Sequence, residues 1–505
     1  MDVDNTAIRG RRRRRSVTVP LVAADAAISL NTRTGRGIVF AAVLGSSIAL
    51  LDGTVVNVAL PHIGDDLESE LDGLQWVVNG YTLMLASVVL LGGALGDRFG
   101  RRRIFLLGVV WFGLASLLCG LATNIVVLVA ARVLQGVGAG LLTPGSLAIL
   151  QASLRKEDRA KAIGAWSGLG GVAAAAGPFL GGWLVDVIGW QWVFLINVPV
   201  VIGCVLAALR WVPESRDTTT GGRFDLAGST VAAVFLGGLT FALVQQGPAA
   251  ATAAVIAFIA GAAFWFIERR ATAPVVPGAL FDRQFSSINV VTFFVYAALG
   301  GVLFFLVMQL QVVSGYSALE AGITMLPFTL LMLAFSAKAG ELGERVGPRR
   351  PLAIGCLLSA VGVFLLSGVG ADAPYVTAVL PGVLALSIGM TVVVAPLTAG
   401  VLAAVDVAHA GVASGINNAI ARAAGLIAVA ALPLIAGLSG DAYREPMVFT
   451  GGYRVAMTVC ALLFLVGAVI AAAAVRDPKG SGMEPAARTQ CPYNAPQLDP
   501  GVEPG

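Results

Sequence analysis

Charge is scarce in this 505-residue chain: Lys, Arg, Asp and Glu make up 12% of it, about half the share of a soluble domain. Histidine is nearly missing. His62 and His409 are the two present, too far apart in sequence to suggest a metal cluster. The five cysteines form no CxxC pair, and Cys119, Cys204, Cys356 and Cys460 lie in apolar runs, so neither a zinc site nor a disulfide framework is indicated. No phosphate-cradling GxxxxGK[ST] loop occurs, which excludes an ATP-driven machine of that type within this chain. No basic face with interleaved aromatics occurs, which excludes a nucleic-acid partner. The first 37 residues are polar and hold five consecutive arginines, Arg11 to Arg15, with no apolar core and cleavage site of a signal peptide. Enzyme signatures are absent, and nothing implies a cofactor.

What fills the chain instead is apolar sequence, 57% of all residues. A bilayer core needs about 20 apolar residues per helix. Such runs begin at 38–61 and 75–95 and end at 412–437 and 453–475, about fourteen in all. The fold class predicted is therefore an all-α polytopic membrane protein. Arg98, Arg101 to Arg103, Arg155, Lys156, Arg159, Lys161, Arg210, Arg216, Arg269, Arg270, Arg345, Arg349 and Arg350 fall in loops on one side. By the positive-inside rule that side is cytosolic, and an even number of spans puts both termini there. The expected location is the cytoplasmic (inner) membrane. The basic tail either touches anionic lipid or serves only as a topology signal.

An internal repeat divides the chain. Gly96-Asp97-Arg98-Phe99-Gly100-Arg101-Arg102 ends the second run, and Gly343-Glu344-Arg345-Val346-Gly347-Pro348-Arg349 ends the tenth. Two like halves are a common build for transporters. The organisation predicted is a disordered tail 1–37, a six-helix bundle 38–211, a linker with two extra spans 212–286, a second six-helix bundle 287–476 and a disordered tail 477–505. In the loop repeat the glycines permit a tight turn, and Gly96, Asp97, Arg98, Gly100, Arg101, Glu344 and Arg345 make a candidate conformational latch. A plain positively charged loop is the bland alternative.

Asp52 sits deep in the first apolar run, where a carboxylate costs about 2.5–3.5 kcal/mol or more and marks an ion or substrate pathway by default. Arg132 lies about a third of the way along the fourth run, at a similar depth. With Gln135, Gly136, Ala139 and Thr143 it shares one helix face. Pairing the two charges lowers the cost of burying each, and protonating Asp52 breaks the pair. The alternative is a static structural pair. In the fifth run, small residues at Gly164, Gly168, Gly171, Gly177, Gly181 and Gly182, with Pro178, allow close helix approach. Asn57, Asn79, Tyr81, Gln135, Trp166, Asn289, Tyr296, Gln309, Asn418 and Arg422 are candidate cavity-lining groups; each alone serves equally well as a helix–helix hydrogen bond. Arg422 has no acid at its own depth in its half. An anionic substrate group, a helix-end carbonyl and Asp52 in one state remain open as its partner.

Taken together, these segments resemble the major facilitator superfamily and, within it, the fourteen-span drug/proton antiporter branch. Leu51 to Pro61 (LDGTVVNVALP) resembles the branch's first-helix signature, Gly96 to Arg103 the superfamily's loop motif, Arg132 to Gly136 the fourth-helix motif, Gly168 to Gly182 the fifth-helix antiporter motif, and Trp190 to Pro199 a segment common in the branch. The resemblance covers about residues 38–476. It implies two six-helix bundles rocking in alternating access, coupled to inward proton flow, with Asp52 as proton site and Arg132 as its partner. A small-molecule substrate, protons and membrane lipid are the implied partners, and a monomer the implied working unit. Proton-driven export of a drug, antibiotic or metabolite leads; nutrient import and a non-transporting sensor or scaffold are the alternatives. One departure stands out: Asp52 is the lone deeply placed carboxylate, whereas exporters of lipophilic cations often carry more.

Overall fold

A computed structural model describes residues 28–216, 226–245, 247–270, 282–405 and 410–477. Sixteen α-helices follow one another: α1 (Arg33–Asp66), α2 (Leu71–Phe99), α3 (Arg101–Gly120), α4 (Ile125–Ser153), α5 (Lys156–Val187), α6 (Trp192–Leu195), α7 (Asn197–Trp211), α8 (Leu226–Val244), α9 (Pro248–Arg270), α10 (Arg283–Met308), α11 (Ala318–Thr324), α12 (Leu326–Val346), α13 (Arg349–Leu366), α14 (Leu380–Ala403), α15 (Ala410–Ile435) and α16 (Pro446–Ala474). Among the described residues there is no β-strand, only one isolated bridge between Ile28 and Leu154.

Local chemistry sets the ends. Thr32 caps α1 through Gly35 N–H, Asn124 caps α4 through Val127 N–H and Asp282 caps α10 through Phe285 N–H. Ser317 and Glu320 form a reciprocal capping box at α11. Gly100 at φ 115° and Gly347 at φ 80° make the two sharp turns that the loop repeat predicts, in a region L-residues with side chains rarely adopt.

Among the described residues, twelve helices are long and apolar enough to cross a bilayer, or thirteen if the pair Leu71–Val89 and Leu91–Phe99, bent by 48°, counts as one span. Of the fourteen spans read from the sequence, the seventh corresponds to α8, Leu226–Val244, which is not among these and whose described apolar part covers Thr230–Val244. The bend in α2 falls beside Gly92 and Gly93, the usual setting for a sharp kink. Structure also starts before residue 38: α1 begins at Arg33, and Ile28 and Leu30 are tied to Ser153 O and Asp158 by backbone N–H bonds. Arg11 to Arg15, and the tail from residue 478, lie outside the described residues.

In the first half, α2 and α3 pack on α4, and α1 lies against α5 and α7. In the second half, α13 packs on α14 and α16, α12 on α14, and α10 against α15 and α16. The extra helices α8 and α9 pack on each other, and α8 touches α2 of one half and α15 of the other. It is pinned there by Gln245 Nε2 on Asp72 Oδ2 at 3.1 Å and by Trp76 against Phe241 with ring centroids 6.0 Å apart. The outer side of α9 carries exposed Phe258, Ile259 and Phe266, as lipid contact requires.

The halves meet at the face opposite the arginine-rich loops. Asp186 of α5 accepts from Ala318 N at 3.1 Å and Leu319 N at 2.9 Å. Gln311 Nε2 donates to Val58 O at 3.0 Å, and Gln75 Nε2 to Val429 O at 2.7 Å. Tyr443 Oη donates to Ser69 O at 2.8 Å, and Arg444 Nη2 to Gly64 O at 2.8 Å. Toward the arginine-rich face, Gly164, Gly168 and Gly171 of α5 are exposed, and a Cβ on any of them would meet nothing within 4 Å. The molecule is thus closed at one face and open toward the other.

Candidate functional site

Asp52 and Arg132 meet inside the first half. Asp52 is fully buried in α1 and Arg132 is 2% exposed in α4; Arg132 Nη1 lies 2.6 Å from Asp52 Oδ2. Each ion has further partners. Gln135 Nε2 donates to Asp52 Oδ1 at 2.8 Å, and Asn197 Nδ2 donates to the same oxygen at 3.2 Å. Arg132 Nε donates to Val77 O at 2.9 Å, and its guanidinium stacks over the Tyr81 ring, 4.2 Å from the centroid. Ser116 accepts from Gln135 at 2.7 Å and from Asn197 at 3.4 Å. Five helices, α1, α2, α3, α4 and α7, therefore contribute to one network around this carboxylate. A buried ion pair is tolerated only when hydrogen bonds satisfy what the charges leave over, and here they do. The arrangement can hold a carboxylate charged in a dry interior and can release its partners when that carboxylate takes a proton.

Spacing along α4 places Gln135 beside Arg132, and it lies in this network rather than on a cavity wall. Asn197 and Ser116 were not singled out by sequence reasoning for this role. Asn197 starts α7 within the Trp190–Pro199 segment, and its neighbours in sequence gave no hint of depth or direction.

The loop motif is tied to its own half. Asp97 Oδ1 accepts from Arg101 Nε at 2.8 Å, and Arg98 stacks on Phe99, 5.4 Å from the ring. Glu214, after α7, accepts from Arg102 N at 3.1 Å, and a Cβ on Gly100 would sit 2.6 Å from its Oε1. The second half repeats this: Asp477, after α16, accepts from Arg349 N at 3.0 Å and crowds Gly347. Glu214 and Asp477 were missed in the sequence; the signal available was an acid just past the last helix of each half. Gly96 is in ordinary contact with Arg101, and Glu344 and Arg345 end α12, Arg345 exposed.

The α5 glycines split into two groups. A Cβ on Gly177 would clash with Thr54, on Gly181 with Val55 of α1, and on Gly182 with the Ala318–Leu319 backbone across the interface. The Pro178 carbonyl sits equally close to Gly322. Gly168 and Gly171, by contrast, line open space.

The remaining candidates scatter. Tyr296, Asn418 and Arg422 line one cavity of about 270 Å³ with Thr398, Ser414 and Asn417. Asn289 backs it by accepting from Asn417 Nδ2 at 3.0 Å. Trp166 donates to Ser46 Oγ at 2.8 Å, and Tyr81 Oη to Ala49 O at 3.1 Å. Gln309 is turned into the second half, donating to Val369 O at 3.0 Å. Asn79 is fully buried with no partner for either amide atom, and Asn57 is half-buried in α1.

Two packed helical halves, a polar cavity in the second and a buried charge pair in the first are the build of a transporter. The chain belongs to the Major Facilitator Superfamily, whose family model matches residues 42–430. It is 36% identical over 427 residues to the methylenomycin A resistance protein of Bacillus subtilis (81% of this chain, 89% of that one). It is 35% identical over 421 residues to the tetracenomycin C resistance and export protein of Streptomyces glaucescens (80% and 77%). Among solved structures, a bacterial homologue of the human lysosomal transporter Spinster, inward-facing and unoccupied, aligns with TM-score 0.64 at 18% identity, covering 88% of this chain and 97% of that one. That likeness speaks to the fold.

Proposed function

We propose that this protein is a proton-coupled antiporter that exports a drug, antibiotic or similar small amphipathic compound across the cytoplasmic membrane by alternating access. The observation that carries the reading is the buried Asp52 with Arg132 at 2.6 Å and two amides on its remaining oxygen. A fixed cation beside a titratable acid is what proton coupling needs. When Asp52 is protonated, the attraction to Arg132 is lost and the guanidinium keeps only its bonds to Val77 O and Gln135. α1 is then freed to shift against α4, and α1 also packs on α5, which carries the cross-half contacts of Asp186, Pro178 and Gly182. Proton uptake at Asp52 is thereby linked to opening of the closed face.

By the positive-inside rule the arginine-rich face is cytosolic, so the state described here is open to the cytosol, both termini are cytosolic and the closed face is external. Gly96 to Arg101 with Glu344 and Arg345 act as the latch that forms when the cytosolic face closes. Relatives named for antibiotic resistance and export support the efflux direction. The monomer contains the whole cavity.

The test compares compound accumulation in cells, and proton release from vesicles on adding compound, for the native chain and Asp52→Asn. Coupled export predicts that Asp52→Asn abolishes both uphill export and proton release. Uphill export by Asp52→Asn at the native rate would overturn the coupling, and a broad compound panel unaffected by the native chain would overturn efflux.

A further inference from the structure

Arg422 is the one charged residue lining the cavity, and its charge has no counterpart there. It lies in the middle of α15, half-buried, and neither a hydrogen bond nor an ion pair to it occurs among the described residues. The titratable groups that act on it electrostatically are the phenols of Tyr81 and Tyr296, and no carboxylate is among them. Asp52 is not its partner: that carboxylate is fully buried, and both of its oxygens are occupied by Arg132, Gln135 and Asn197. The other cavity groups, Tyr296, Thr398, Ser414, Asn417 and Asn418, are neutral. Asn417 is held from behind by Asn289 and Thr292, at 3.0 and 2.7 Å through its Nδ2, and Asn418 Nδ2 is bonded to Ser414 O at 3.1 Å. The polar wall is thus fixed, while the guanidinium stands free.

We infer that the exported compound is an organic anion whose carboxylate, or equally acidic enol or phenol, pairs with Arg422 between Tyr296 and Asn418. The inference rests on the efflux reading and adds the charge of its substrate. An unpaired guanidinium at mid-membrane is costly and marks a functional position. A planar acid group replaces its water with two parallel charge-assisted bonds. An organic cation meets the opposite situation: like charge, and no carboxylate anywhere on the wall to offset its desolvation. The cavity's 270 Å³ is at the low edge of small-molecule sites, about 300–1,000 Å³. It takes the acid-bearing end of a compound.

The test uses vesicles holding the native chain, Arg422→Gln, Arg422→Lys or Arg422→Glu, and a panel of amphipathic aromatic carboxylates, their methyl esters and quaternary ammonium cations. The native chain is expected to move the carboxylates and to discriminate against their esters. Arg422→Gln is expected to weaken apparent affinity for the carboxylates by about ten- to a hundredfold, the range of one charge-assisted pair. Arg422→Lys keeps part of it, and Arg422→Glu reverses the preference toward cations. Size-exclusion profiles and thermal unfolding in detergent check that each variant folds; if Arg422→Gln does not, the acid-against-ester ratio of the native chain decides. Equal transport of esters or cations by the native chain, or undiminished carboxylate transport by Arg422→Gln, overturns the anion assignment while leaving efflux standing. Transport of no panel member by the native chain overturns the efflux reading and this inference with it.

Discussion

Asp186 and Leu319 join the two halves of the molecule: the Asp186 carboxylate, at the end of α5, accepts from Leu319 N at 2.9 Å, and from Ala318 N at 3.1 Å, in the first turn of α11. These two N–H groups have no acceptor within their own helix, as at any helix start. The bond therefore satisfies α11 only while the external face is closed. Opening that face must leave them to water.

Asp186→Asn or Asp186→Ala should accordingly weaken the closed external face. Hydrogen bonds to a charged group are worth about 1.5–3 kcal/mol each, less where water reaches them. Removing this acceptor should raise the population open to the outside several-fold. Distances between spin labels on the external ends of α5 and α11, measured by double electron–electron resonance, check this. An unchanged distribution would show that Tyr443, Arg444 and Gln75 suffice to hold the face shut.

The Asp52–Arg132 pair should behave as a unit under mutation. Removing one partner of a buried pair costs about 3–5 kcal/mol, because the other charge is left unpaired. Asp52→Ala and Arg132→Ala should each lower thermal stability in detergent substantially. The double variant should lose less than the sum, with a coupling energy of about 0.5–3 kcal/mol. Additive losses would mean that Gln135, Asn197 and Val77 O satisfy each ion without the other.

That pair was legible in the sequence because ions in apolar runs are rare and depth can be counted residue by residue. The rest of its shell was not. Asn197 and Ser116 are neutral groups, and a neutral side chain in an apolar helix bonds within its own helix as readily as outward: Thr292 donates to Ile288 O and Thr391 to Ser387 O. Only the packing of α3 and α7 on α1 and α4 aims Asn197 at Asp52 and puts Ser116 under the amides of Gln135 and Asn197. The same limit explains Gln309, just past the end of α10, which is turned into the second half and donates to Val369 O. The all-helical class and the loop repeat were readable from composition and spacing. The bend of α2 was not, since an apolar run carries no mark of where its helix breaks.

The acids past each half's last helix make a symmetric pair. Glu214 and Asp477 each accept from the first turn of the third span of their half, α3 and α13, beside a positive-φ glycine. Asp477→Ala removes one such cap, and loss of a cap costs about 0.5–2 kcal/mol. It should lower the unfolding temperature modestly and leave substrate affinity unchanged. Differential scanning fluorimetry with a substrate titration separates the two, and an affinity change would tie this cap to the cavity.

The two groups of α5 glycines should trap opposite states. Gly182 packs so tightly on the Ala318–Leu319 backbone that a side chain there cannot coexist with the closed external face. Gly168 faces open space toward the arginine-rich side, so a side chain there is accepted in the state described. Closing the cytosolic face must bring the second half against this part of α5, where small residues permit close approach. Overpacking costs about 1–3 kcal/mol, enough to shift a two-state equilibrium by about tenfold or more. Gly182→Leu should therefore hold the protein open to the outside, and Gly168→Leu should hold it open to the cytosol. Both should abolish transport and leave the protein folded. Labelling of single cysteines at the two cavity mouths by a membrane-impermeant maleimide reads the difference: the external site reacts in Gly182→Leu and is protected in Gly168→Leu, and the cytosolic site does the reverse. Equal labelling of the two variants would mean that α5 does not form the closing seam at both faces.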